Sequence, residues 1–182
     1  PNAEISGGKL LFNGRDLRNM NEAEMQWIRG REISMVFQDP MTSLNPVFSI
    51  EQQMVDAILA HPPGNQPITR DEARQRAISM LVRVGIPDAA QRIQNFPHQF
   101  SGGMRQRIMI ALALQSNPAL LIADEPTSAL DVTLEAQITD LIRELRDELD
   151  TAILYITHDL GVVAQLCDQV VVLYTGNVVE TG

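Results

Sequence analysis

Apolar and polar positions follow two different regimes along the 182 residues. After Pro118 the apolar residues gather in short runs: Ala119 to Ala123, Ala152 to Thr157 and Val170 to Tyr174. Runs of this length, separated by helical stretches, predict strands of a parallel sheet. Between them, Leu134 to Leu149 has the spacing of an amphipathic helix, and Leu160 to Leu166 predicts a shorter one. Strand, helix, strand, helix, strand is the pattern of an α/β domain. A last strand is expected after the turn Thr175-Gly176-Asn177. Near the start, Lys9 to Phe12 predicts a strand ending in the turn Asn13-Gly14, and Glu32 to Gln38 a short, mostly buried one.

The stretch from 41 to 116 is patterned for helices instead. Ser49-x-x-Gln52 reads as a capping box opening a helix to about Ala60. A loop spans His61 to Pro67. Thr69-x-x-Glu72 caps the next helix, whose apolar positions are Ala73, Ala77, Met80, Leu81 and Val84 and whose stop is Gly85. A third helix follows Ser101 and runs to about Gln115. The expected organisation is therefore an α/β core made of 1–40 and 117–182, interrupted by a helical subdomain at 41–116.

Composition narrows the class. The formal net charge of −9 and pI near 4.7 argue against nucleic acid or anionic lipid as the main partner. Cys167 is the single cysteine, which excludes an internal disulfide and fits a reducing compartment. It ends an apolar helix and is expected to be a buried core thiol. No run approaches the roughly 18–20 apolar residues of a membrane helix, so membrane association is expected through a partner. Pro1 to Ile5 has neither the charged nor the apolar region of a signal peptide, and the chain reads as excised from something longer. Plainer expectations attach to single residues. Trp27 belongs in the core or at a subunit contact, and His61 is solvated. His98 makes local hydrogen bonds, and Arg143 to Asp150 forms a solvated helix face.

Candidate chemistry concentrates at strand ends. In Leu120-Leu121-Ile122-Ala123-Asp124-Glu125-Pro126-Thr127 the apolar run delivers two acids to the carboxyl edge of a parallel sheet, where open α/β sheets bind ligands. Asp124 there suits Mg²⁺ held largely through water, and Glu125 suits orienting an attacking water. Two solvated acids at a strand end are the plain alternative. Ser101-Gly102-Gly103 places a helix N-cap and a bare first turn where an anion could sit, or is an ordinary turn before a helix. His158 ends the run Tyr155-Ile156-Thr157 and could donate to a γ-phosphate or hold the water; a structural histidine is the alternative. Gln38, closing the Glu32 run, could ligate Mg²⁺ through its amide oxygen.

Taken together, Gln38, S-G-G at 101–103, D-E at 124–125, S-A-L-D at 128–131 and His158 stand in the order found in ABC ATPases, and the chain resembles that family over nearly its whole length. The resemblance implies a P-loop NTPase-type (RecA-like) parallel sheet core carrying a helical insertion, with ATP and Mg²⁺ as cofactors of the parent protein. It makes Gln38 the Q-loop, Asp124 the Mg²⁺ ligand, Glu125 the catalytic base and His158 the γ-phosphate sensor. Ser101, Gly102 and Gly103 would contact nucleotide held by an opposing subunit, and Asp131 lies in the D-loop. Met104 stands where the family usually has glutamine.

Gln38-Asp39-Pro40-Met41-Thr42-Ser43-Leu44-Asn45-Pro46, F-S-G-G-M-R-Q-R and Thr157-His158-Asp159-Leu160-Gly161-Val162-Val163-Ala164 are similar to oligopeptide, dipeptide and nickel importers. That implies an ATPase dimer on the cytoplasmic face of the inner membrane. Its partners would be integral permease subunits and, indirectly, an extracytoplasmic binding protein. Two other readings stay open: a soluble ABC ATPase working on nucleic acid or ribosomes, and a non-catalytic interaction module. Acidic charge weighs against the first, and the presence of Glu125 and His158 against the second.

The sequence holds no G-x-x-x-x-G-K-[ST]. Around the single lysine, Lys9, Ala3 stands at the first glycine position and Leu10 at the Ser/Thr position. The chain is accordingly expected to be the ATPase subunit without its phosphate-gripping segment, inactive alone, with a core sheet that is rearranged or paired across a gap.

Overall fold

The structure is a computed structural model that describes residues 5, 7–39, 43–62, 66–128 and 130–182. The motif residues Pro40, Met41, Thr42 and Ala129, the loop residues 63–65, and Ala3 with the rest of 1–4 lie outside the described residues.

A parallel sheet of three strands carries the site. β3 (Ile33–Val36), β4 (Leu120–Asp124) and β5 (Ala152–Ile156) lie side by side in that order. Val36 is level with Ala123, Ala123 with Tyr155, and Asp124 with Ile156. Ahead of the sheet, β1 (Leu11–Phe12) and β2 (Arg15–Asp16) form a hairpin across Asn13-Gly14. Both turn residues have positive φ (48° and 76°), the geometry that an Asn-Gly pair supplies most readily. The sequence expectations did not include α1 (Glu22–Ile28), which Asn21 and Glu24 open with a reciprocal capping box.

Helices fill the interval between β3 and β4: α2 (Ile50–Ala60), α3 (Arg70–Arg83), α4 (Ala89–Arg92) and α5 (Gly102–Leu114). Thr69 and Glu72 make both halves of the expected box at α3. At α2 only half forms, with Ser49 accepting from the Gln52 N–H at 3.2 Å. The Gln52 side chain is exposed and does not return the bond. After β4 come α6 (Val132–Leu149) and, beyond β5, α7 (Leu160–Leu166). α6 starts two residues before the apolar pattern does, because Asp131 caps it by accepting the Leu134 N–H at 2.9 Å.

One continuous core joins these parts. It runs from Met54, Ile58 and Leu81 through Ile110 and Leu114 of α5 to Leu121, Ile138 and Ile142. Only one face of the sheet takes part. Ser34, Val36, Leu121 and Ala123 are buried, whereas Met35, Leu154 and Ile156 on the other face are exposed. The expectation for Val170 to Tyr174 is corrected outright. β6 (Val171–Tyr174) does not extend the parallel sheet but pairs antiparallel with β7 (Asn177–Thr181). Thr175 and Gly176 both adopt positive φ (46° and 80°), so a tight local turn fixes this pairing.

Several single-residue expectations also change. Cys167 is half-buried rather than buried, and burial raises its thiol pKa. Trp27 is exposed, which takes it out of the core and leaves a subunit contact as the remaining expectation, and the Arg31 guanidinium lies 4.1 Å from its ring centre. His61 is half-buried beside Gly30, and His98 is exposed and stacked on Phe96. Among the described residues, no helix is long and apolar enough to cross a membrane.

Candidate active site

The carboxyl edge of the sheet brings together three residues that are far apart in sequence. Beyond Asp124 the chain turns sharply, and Glu125 adopts left-handed backbone with φ +44°. For a residue with a side chain that conformation costs about 1–2 kcal/mol, so its surroundings must hold it. The Glu125 N–H donates to the Ile156 carbonyl at 2.9 Å, extending the β4–β5 pairing by one residue. Its own carbonyl accepts from the Ser128 N–H at 3.3 Å and the Ser128 hydroxyl at 3.1 Å.

The carboxylate is shared between two partners. Gln38, beyond the end of β3, donates Nε2 to Glu125 Oε2 at 2.9 Å. His158, beyond the end of β5, places Nδ1 3.2 Å from Glu125 Oε1. When Nδ1 carries the proton it donates to the carboxylate, which leaves Nε2 facing outward as donor or acceptor. The glutamate side chain is 29% exposed and the histidine 77%, so the acid is partly sheltered while the imidazole stands in solvent. A cavity of about 110 Å³ opens beside them, lined also by Thr127, Ser128, Glu135, Thr157 and Asp159. That is room for several waters. A carboxylate held at both oxygens beside a cavity that admits water is arranged to orient a water and take its proton.

Asp124 is half-buried at the last position of β4. With Gln38 Nε2 committed to Glu125, the amide oxygen of Gln38 is left to accept or coordinate. A carboxylate and an amide oxygen are hard donors. Among the described residues there is no cluster of three or more acids, histidines or cysteines that would form a protein cage for a metal. The pair of hard oxygen donors suits Mg²⁺, an ion that keeps most of its waters.

Ser101, Gly102 and Gly103 sit at a separate place, the start of α5. Ser101 caps the helix by accepting the Met104 N–H at 3.4 Å. The two glycines serve different ends. A Cβ on Gly102 would meet nothing within 4 Å, so its surface is bare. A Cβ on Gly103 would come within 3.3 Å of Leu134, so this glycine lets α5 and α6 pack closely. Asp131 is likewise engaged in capping α6 rather than with Glu125. Three residues missed by the sequence reading link these parts. Gln106 of α5, 1% exposed, donates Nε2 to the Pro126 carbonyl. Thr127 donates Oγ1 to Glu135 Oε1 at 2.7 Å. The available signal for Gln106 was a polar residue on the apolar flank of a helix, on the same face as Gly103 and Ile110.

Comparison with known proteins finds the ABC transporter family model over residues 2–128. An oligopeptide transport ATP-binding protein, OppD, of Bacillus subtilis is 52% identical over all 182 residues, which span 50% of that protein. A dipeptide transport ATP-binding protein, DppD, of Escherichia coli is 52% identical over 178 residues, 98% of this chain and 53% of that one. The chain thus spans about half the length of the curated relatives it matches. Among solved structures, an ATP-binding cassette in a dimeric post-hydrolysis state with ADP and phosphate superposes with TM-score 0.83. It is 26% identical, and the match covers 97% of this chain and 73% of that one.

Proposed function

The chain belongs to the ABC transporter family, and from that premise we propose that it is part of the ATP-hydrolysing subunit of an oligopeptide or dipeptide importer. The observation that carries the catalytic part of this reading is Glu125 held between Gln38 and His158. Glu125 is the general base for the attacking water, and His158, largely exposed to solvent beside it, senses the γ-phosphate. Asp124 and Gln38 would hold Mg²⁺, which offsets phosphate charge when bound. Ser101, Gly102, Gly103 and Asp131 face nucleotide across a dimer, where the bare surface at Gly102 admits a phosphate. The division into a core of 1–40 and 117–182 and a helical subdomain at 41–116 belongs to this reading.

The peptide-importer part is supported by the relatives, which are oligopeptide and dipeptide transport ATP-binding proteins. Permease subunits, a second ATPase subunit and a peripheral position at the cytoplasmic face of the membrane follow from it. The same relatives do not favour a nucleic-acid or ribosomal role.

Since the 182 residues contain no G-x-x-x-x-G-K-[ST], the chain alone is expected to release no phosphate from ATP above background. Joined to the P-loop-bearing segment of the Bacillus subtilis relative, it is expected to hydrolyse ATP, and Glu125→Gln then lowers kcat about 10²–10⁴-fold with KM little changed. Turnover that persists in the Glu125→Gln chimera would sink the assignment of the base.

A further inference from the structure

The turn carrying Glu125 is gripped from α6 as well as from the sheet. Thr127, only 4% exposed, donates its hydroxyl to Glu135 at 2.7 Å. Glu135 lies in the first turn of α6, where its N–H donates to the Asp131 carbonyl at 2.8 Å, so the helix fixes its backbone. The same glutamate lines the cavity beside Glu125 and His158. Behind it the covered face of the sheet turns polar. The Tyr155 hydroxyl is buried there beside the hydroxyls of Thr127 and Thr139, and burial raises its pKa. A hydroxyl donating to a carboxylate in such surroundings makes a strong bond, and losing the acceptor would leave Thr127 without its charged partner on α6.

We infer that Glu135 is a positioning residue for Glu125: by accepting the Thr127 hydroxyl it ties the 125–128 turn to α6, and so keeps the Glu125 carboxylate between Gln38 and His158. The inference rests on the reading of Glu125 as the general base. Gln106 grips the same turn from the other side through the Pro126 carbonyl. The left-handed backbone at Glu125 is thus held from β5, α5 and α6 together. Gln38 belongs to another element and meets this turn through its hydrogen bond to Glu125, so a purely packing role in α6 is not expected to move it.

Gln38 therefore provides the readout, through its side-chain amide signals in nitrogen-15 NMR of the 182-residue chain. Glu125→Ala first marks where those signals fall when the carboxylate is gone. Glu135→Leu and Thr127→Val are each expected to move the Gln38 signals to that position and to speed amide exchange at Glu125 about tenfold. Glu135→Gln and Thr127→Ser keep an acceptor and a donor, and both readouts are expected to stay within about twofold of the parent chain. Unmoved Gln38 signals in a folded Glu135→Leu or Thr127→Val chain overturn the inference. So does failure of the two conservative variants to restore them. Should Glu135→Leu not fold, Thr127→Val, nearly the same shape, decides alone. Nucleotide plays no part in these measurements. A negative result leaves the base assignment standing, and a failed chimera leaves the grip on the turn untouched.

Discussion

The two faces of the three-stranded sheet are built from the same kinds of residue and meet opposite fates. On one face Val36, Leu121 and Ala123 are buried, with Ile153 and Tyr155 of β5 partly buried against the same core. On the other, Met35, Leu154 and Ile156 stand exposed at equivalent register positions. Leu121 and Leu154 are both leucines inside apolar strands, yet one is fully buried and the other 52% exposed. What differs is the supply of helices: α5 packs against β3 on the first face, while the second leaves Met35, Leu154 and Ile156 exposed. An apolar strand states that a face can be buried; whether it is depends on what the rest of the chain brings to it.

The largest test of this contrast is Leu121→Ala. The side chain sits at 0% exposure in the continuous core, where removing it leaves a cavity that close-packed neighbours fill poorly. A loss of about 3 kcal/mol is expected in urea denaturation. A loss below about 1 kcal/mol would mean that the covered face is not a packed core at all.

A smaller effect comes from loosening the helical side without touching the sheet. Asp131→Ala removes the cap that accepts the Leu134 N–H, and Leu134 is the residue packed against Gly103. About 1 kcal/mol of stability should be lost, and amide exchange in the first turn of α6 should quicken before that of β4 does. Equal acceleration in both elements would show that α6 and the sheet open as one unit.

How legible each part was in the sequence follows from the same contrast. Strands β3, β4 and β5 and helices α2, α3, α5, α6 and α7 were readable because their apolar spacing and caps are local signals. The candidate site was readable at Asp124, Glu125, His158 and Gln38, since a parallel register necessarily brings strand ends to one edge. Pairing was not readable. The run Val170 to Tyr174 carries the same signal as β5, but two positive-φ residues turn it into a hairpin. Nor could spacing reveal that Glu125 bonds to both Gln38 and His158, or that Thr127 leans on Glu135. Those depend on side-chain placement between segments up to 87 residues apart.

The smallest expected effect is the most discriminating. Leu154→Thr alters the open face at a position that gains little from burial. Threonine is β-branched and suits a pleated strand, and surface substitutions of this kind shift stability by no more than about 0.5 kcal/mol. It also trims an exposed apolar patch that includes Met35 and Ile156, so sedimentation at rising concentration should show less self-association than in the parent chain. The stability measurement is the sharper of the two. If Leu154→Thr costs as much as Leu121→Ala, the two faces are equivalent in solution, and something covers the second as fully as α5 covers the first. If it costs almost nothing, the asymmetry is a property of the chain itself, and the site at the sheet edge is held in place from one side only.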